Sequence, residues 1–250
     1  MWNSEGKGRT FAAHIEDLLY AATERYHTGF TGFLNLQERT EASRLAAPVK
    51  KQVMFFGGYS DAERVMMGAF SPDETISSEL FPIVPVTIRF RQQDPIGHRD
   101  LLGALLEMGL SRETVGDILL EKGQGVCFLT PPAANLALET FCKAGRWGLQ
   151  LERGLPDKLP ERRFEEIQIH VSSLRLDCIA AALTRLSREK AQKLIESGKA
   201  AVNGTEILEP AFQTVPGTVL SLRGYGKYIF DQTLRTTKKD RLVLQCRRYL

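Results

Sequence analysis

Residues Arg175–Gly204 read RLDCIAAALTRLSREKAQKLIESGKAAVNG, and signals for a helix, a turn, a second helix and a strand follow one another within them. Leu176, Ile179, Ala180, Leu183 and Leu186 recur at three- and four-residue steps, which gives one apolar helical face and leaves Arg175, Asp177 and Arg185 outside it. Ser187 is a good N-cap for the next helix, with Glu189 placed against the positive end of its dipole. That helix is expected to bury Ala191, Leu194 and Ile195, to run to about Ser197 and to stop at Gly198. Ala201 and Val202 then read as strand, and Asn203-Gly204 suits a tight hairpin whose two turn residues have positive φ.

The order RLD, SR, AQxLIxxGxAxVNG and a later Arg-Gly, from about Ser172 to Phe230, closely resembles the S4 domain, a small RNA-binding module named for a ribosomal small-subunit protein. Gly217-Thr218 stands where that family usually has Gly-Asp. The resemblance implies an RNA-facing surface on the paired helices and the loop after them. By position it assigns Arg175, Ser187, Arg188, Lys190, Gln192, Lys193, Lys199 and Asn203 to that surface, with Arg223 and Lys227 extending it.

Composition bounds the rest. The 250 residues are enough for one large domain or two to three small ones, and 43% hydrophobic with 25% charged residues is the balance of a soluble globular chain. Net charge is only +3, yet residues 168–250 carry 14 Lys and Arg against 7 Asp and Glu, and the remainder carries 19 against 23. A basic recognition module on a near-neutral body is the reading this favours. Cys127, Cys142, Cys178 and Cys246 include no CxxC pair, so reduced thiols are expected and a zinc site is not. No apolar run approaches a membrane span and no signal-peptide core opens the chain, so a cytoplasmic location is expected.

Toward the N-terminus, the residues to about Arg9 read as frayed, and Ala12–Tyr26 as an amphipathic helix carrying Ile15, Leu18, Leu19 and Ala22. FTGFLN, Phe30–Asn35, leads into LQERTEASRLA, which is compatible with a second helix. Val53–Phe56 reads as a strand ended by Gly57-Gly58, before a helix expected from about Asp61 with Ala62, Val65 and Met66 inward. The glycine pair lies between strand and helix without a GxxxxGK[ST] or GxGxxG pattern, so a structural turn is preferred to a phosphate loop.

In the middle, FPIVPVTIRF (Phe81–Phe90) is strand-like, with Pro82 and Pro85 arguing for an edge position or a late start. His98–Ser111 has helical spacing, RETVGDILL from Arg112 reads as a further short helix or turn, and Gly125–Leu129 as a strand. Pro132–Ala144 reads as a helix with Leu136, Leu138 and Phe141 on its apolar face, and Gly148–Glu152 as a third strand. This alternation predicts an α/β sandwich of the ferredoxin or RNA-recognition type. The expected class is therefore α+β: an N-terminal α/β module over residues 1–75, an RNA-recognition-like domain over 76–160 and an S4 domain of the αL type over 168–250. GLPDKLPERR, Gly154–Arg163, is the joint before the last domain. Val219–Arg223, Tyr228–Phe230 and a last strand carrying Leu242, Leu244 and Cys246 complete the chain, with Lys238, Lys239, Arg241, Arg247 and Arg248 enlarging the positive surface.

Phe56-Gly57-Gly58-Tyr59 with Ala62-Glu63-Arg64, and His98-Arg99-Asp100 with Leu102-Gly103, Arg112-Glu113 and Gly116-Asp117-Ile118, are similar to the YlmH-type bacterial proteins. That resemblance covers nearly the whole chain. It implies ribosome association, a part in handling stalled large subunits during quality control and, for some relatives, a link to cell division. The expected partners are the ribosome and structured RNA, meaning large-subunit ribosomal RNA with transfer RNA as a second candidate; a monomer without cofactor or metal is expected.

RNA binding of this kind works through Lys and Arg displacing counterions from phosphates, which gives affinity with little sequence selectivity. The free amides at Arg188 and the positive end of that helix can receive a phosphate, and the Arg188 guanidinium can clamp it. A narrow A-form major groove leaves shape, at a junction or loop, as the thing recognised. Arg175-Leu176-Asp177 also matches the RLD of pseudouridine synthases, which makes an RNA-modifying enzyme the competing reading. Here, however, CIAAAL follows in place of a polar loop, so Asp177 is read as structural or as the partner of a neighbouring Arg. A division-linked adaptor is the other alternative. His14, His27, His98 and His170 form no HExxH and have no nucleophile beside them, and Phe81, Phe90 and Phe128 are read as core rather than as base-stacking platforms.

Overall fold

A computed structural model describes residues 4–162 and 164–249, which form two compact units, Met1–Glu161 and Arg162–Leu250. The first unit opens with α1 (Ser4–Glu24), β1 (Gly29–Phe30), α2 (Leu36–Leu45), β2 (Val53–Phe56) and β3 (Met66–Ala69). Helix α1 begins well before the expected Ala12, so residues 4–9 are helical; residues 1–3 of the stretch expected to fray, and Arg163 of the joint, lie outside the described residues. Asn35 caps α2 by accepting from the Glu38 amide at 2.9 Å, while Glu38 Oε2 accepts from the Asn35 amide at 2.7 Å. Ile15, Leu19, Ala22, Ala42, Met67 and Ala69 pack both helices on the sheet β1-β3-β2.

The helix expected from Asp61 is absent. Residues 57–64 are turn and bend, Val65 bridges Leu34, and Met66–Ala69 is the central strand of that antiparallel sheet, with all four residues buried. A strand covered on both faces has no alternation to show, so periodicity cannot distinguish it from a piece of buried helix.

The unit continues with β4 (Val84–Arg89), α3 (His98–Glu107), β5 (Val115–Glu121), β6 (Gln124–Leu129), α4 (Pro131–Thr140), the small hairpin β7 (Lys143–Ala144) and β8 (Trp147–Gly148), and β9 (Gln150–Arg153). Strands β5-β6-β4-β9 lie in that spatial order, all antiparallel, and with α3 and α4 make the β-α-β-β-α-β succession of a split βαβ motif. Leu101, Leu105, Ala133, Ala134, Ala137 and Phe141 cover one face of the sheet. Three expectations change. The segment after Arg112 is one 3-10 turn, Arg112–Thr114, and then a strand, because Val115 and Ile118 face the helices while Leu119 faces the other way. Strand β4 starts late, as its prolines suggest, but is internal, with Gly154 donating to the Pro85 carbonyl at 2.9 Å. The buried face of α4 is alanine, and Leu136 is exposed.

The second unit holds β10 (Phe164–Val171), α5 (Leu176–Thr184), α6 (Arg188–Glu196), β11 (Ala200–Val202), β12 (Thr205–Glu206), β13 (Thr218–Leu222), β14 (Gly226–Thr236) and β15 (Leu242–Tyr249). Its strands form one antiparallel sheet in the order β10-β15-β14-β13-β11-β12. Helices α5 and α6 cover one face through Leu176, Ile179, Ala191, Leu194 and Ile195, packed on Leu220, Tyr228, Phe230, Leu244 and Cys246. Gly198 at φ +68° ends α6, and Asn203 at +50° with Gly204 at +83° makes the expected hairpin turn. Strand β10, which the sequence does not announce, is half polar, with only Ile169 and Val171 buried.

Candidate nucleic-acid interface

The first turn of α5 is fixed from outside the helix. Leu176 and Asp177 amides donate to the Phe212 and Pro210 carbonyls at 2.8 and 3.0 Å, so a neighbouring loop satisfies amides that the helix leaves open. The Asp177 side chain is fully enclosed, with 0% of it exposed. Arg175 Nε and Nη2 donate to its two oxygens at 3.1 and 3.0 Å, Arg188 Nε at 3.1 Å and Gln192 Nε2 at 2.8 Å. Burial would raise this carboxyl's pKa, but hydrogen bonds from Arg175, Gln192, Arg188 and Cys178 outweigh it and hold the group well below the usual carboxylate range. One carboxylate thus ties α5 to the start of α6 and orients two arginines. Arg188 engages it through Nε, and its side chain is half-exposed.

Around this hub, Ser187 Oγ accepts from the Lys190 amide at 3.3 Å, the N-cap expected of it. Lys190 is exposed, and Lys193 is exposed but paired to Glu189 at 2.7 Å. Lys199 and Arg223 are neighbours, the Arg223 amide donating to the Lys199 carbonyl at 2.8 Å. Asn203 has its Oδ1 committed to the Val219 amide at 2.9 Å, which makes it first a turn residue. Lys227 lies apart from the helices: Tyr228 and Phe230 face the helical core, so Lys227 projects from the opposite face, over the Tyr249 ring at 4.5 Å. Of the ten residues singled out by sequence, then, three converge on Asp177, two adjoin at Lys199 and Arg223, and one is on the other side of the sheet.

In the first unit, Asp117 is a second organising carboxylate. It accepts from the Tyr59 hydroxyl at 2.8 Å and from the Glu63 and Arg64 amides at 2.7 and 3.2 Å. Arg64 donates to the Val115, Phe33 and Arg112 carbonyls at 2.9, 2.7 and 2.8 Å, and burial, with nearby Arg112, pushes its pKa down to about 10, so it stays charged at neutral pH. Tyr59 stacks on Phe128 with centroids 5.1 Å apart, and at Gly58, φ +100°, a side chain would run into that ring. The turn after β2 is thereby clamped onto β5 and β6. Phe33, Met66, Phe70 and Phe81 complete the seal over Leu119, Val126 and Phe128, so the sheet face opposite α3 and α4 is interior. Phe128 is fully buried and Phe81 nearly so, and neither is a stacking platform.

A family model described as "Putative RNA-binding domain in YlmH" matches residues 78–154, the span of the β4–β9 sheet. A protein of Bacillus subtilis (strain 168), "Ribosome-associated protein quality control protein P2", is 31% identical over 221 residues, 87% of this chain and 86% of the relative. The chain belongs to the YlmH family. The solved "Cell division protein ylmH from Streptococcus pneumoniae" matches in fold, with a TM-score of 0.51 at 18% identity over 60% of this chain and 92% of that one.

Among the residues that carry the family resemblance in the first unit, Tyr59, Arg64 and Asp117 form the clamp, whose role no local spacing announces. Among the described residues no group of three or more His, Cys, Asp or Glu is placed to hold a metal, and no helix is long and apolar enough to cross a membrane.

Proposed function

We propose that the second unit is an S4 domain of the αL type that binds structured RNA, and that the chain works on the ribosome, in the rescue or quality control of stalled large subunits. The observation that carries this reading is the Asp177 hub: it fixes Arg175, Arg188 and Gln192 beside the amide end of α6, where a phosphate is favoured by charge and dipole together. Ser187, Lys190, Lys193, Lys199 and Arg223 extend the positive surface, and the excess of seven basic residues over residues 168–250 supplies the counterion-release term. Asn203 holds the adjoining turn, and Lys227 adds charge on the far face. Ribosomal RNA of the large subunit is the proposed ligand, with transfer RNA as a second candidate, in keeping with the ribosome association for which the Bacillus subtilis relative is named. We take the chain to act as a cytoplasmic monomer, with modules at 1–75, 76–160 and 168–250.

Enclosure of the Asp177 side chain, with Arg175, Arg188 and Gln192 on its oxygens, speaks for a binding role over a synthase role, since a carboxylate that acts on uridine needs access to it. Crosslinking in cells followed by sequencing of the attached RNA tests the proposal: enrichment of one large-subunit site is expected. Recovery of messenger RNA alone, or of no RNA, would contradict it, and a modified base formed on ribosomal RNA in an Asp177-dependent way would install the enzyme reading instead.

A further inference from the structure

The turn between β13 and β14 presents an aromatic ring that lies outside the set of cations and polar groups around α6. Leu222 pairs with Gly226, and the Tyr225 amide donates to the Leu222 carbonyl at 2.9 Å, closing a tight turn in which Gly224 takes φ +89°. The tip is braced through backbone: the Tyr225 carbonyl accepts from the Tyr228 hydroxyl at 3.0 Å and from Arg248 Nη2 at 3.4 Å. Tyr225 itself is 37% exposed, and its ring enters none of the aromatic or cation–π pairs among the described residues. Phe164 and Tyr249, by contrast, already carry Arg247 and Lys227 over their rings at 4.9 and 4.5 Å.

Three exposed cations rim the turn. Arg223 belongs to it, Lys199 lies alongside through the 2.8 Å backbone bond, and Arg248 reaches it from β15. A ring on a fixed turn between cations has the chemistry of single-strand recognition, in which phosphates meet the charges and a base stacks on the ring whatever its identity. The pre-set backbone means little ordering entropy is paid when a base arrives. In a continuous A-form helix the bases are stacked on one another, so such a ring selects a nucleotide that is splayed out.

We propose that Tyr225 stacks on an unpaired base of the bound RNA while Lys199 and Arg223 hold its flanking phosphates. The inference rests on the RNA-binding reading of this unit and adds that the site is not fully paired. It is tested on the full chain with two probes, an RNA hairpin carrying one bulged 2-aminopurine and the same hairpin without the bulge. Tyr225→Ala should weaken binding to the bulged RNA at least about fivefold and abolish the fluorescence change of the 2-aminopurine. It should leave the bulge-free RNA unaffected, with Tyr225→Phe staying within about twofold of wild type on both. Equal affinity of Tyr225→Ala and wild type for the bulged RNA, or an equal loss on both RNAs, would overturn it. Lys190→Ala/Lys193→Ala separates the two layers: if it weakens binding to both probes while Tyr225→Ala changes neither, stacking alone fails, and if wild type binds neither probe, both readings fail.

Discussion

Removing the Asp177 charge leaves two guanidinium groups and an amide converging on a site that no longer attracts them. Asp177→Asn should lower the stability of the second unit by about 2 kcal/mol, the scale of charge-assisted hydrogen bonds, because the partly exposed arginines can turn back to water. The sign with pH follows from the direction of the shift. A carboxyl depressed in the folded state contributes stability above its unfolded pKa, about 3.9, and loses it as pH falls toward the folded value. Urea midpoints should therefore separate wild type from Asp177→Asn by a constant amount between about pH 5 and pH 8 and converge in stronger acid. A difference that grew below pH 4 would remove Asp177 from this role. At this scale much was legible. RLD placed at the start of a helix, and followed by apolar residues, already pointed to an arginine-bound aspartate. That Gln192 and Arg188, more than ten positions away, share the same oxygen depends on how α5 and α6 cross, which spacing does not encode.

Helix α6 and the hairpin after it were readable because their ends are marked by residues whose chemistry is local. Ser187→Ala should cost about 1 kcal/mol by freeing the capped amide, a fall of about 4–8 °C in Tm for a unit of this size. Gly198→Ala should cost at least as much, since the new methyl would need a positive φ and would sit 2.8 Å from Glu206 Oε1. Calorimetry on both variants checks these values. The sequences of strands β3 and β5 resemble helix or turn for the opposite reason. Their residues are buried on both faces by partners distant in sequence, and Asp117 holds the turn before β3 from 53 or more positions away. The same seal makes Phe33, Met66 and Phe70 part of the core on the β4–β9 sheet. A fragment starting at Ser78 should expose Leu119, Val126 and Phe128 and bind the dye ANS strongly, whereas the full chain should not. A dye-silent, cooperatively folded fragment would show that the β4–β9 sheet stands without its cover.

Taken whole, the chain divides its labour by charge. The first unit is close to neutral and commits its distinctive residues to an internal clamp, while the second concentrates cations around α6 and the β13–β14 turn. The family's RNA-binding description falls on residues 78–154, whose sheet has no open aromatic face, so RNA contact from that span would come from loops, helices or edges. The sequence showed the charge division plainly. It did not show the sealed sheet, which exists only once two modules fold together. If the cations of α6 meet RNA phosphates, as proposed, the salt dependence of RNA affinity reports it directly. For Lys190→Ala/Lys193→Ala, the slope of log affinity against log salt should be shallower than that of wild type by about 1.4, or about 0.7 for each single-strand phosphate no longer neutralised. An unchanged slope, with affinity intact across the salt range, would contradict it.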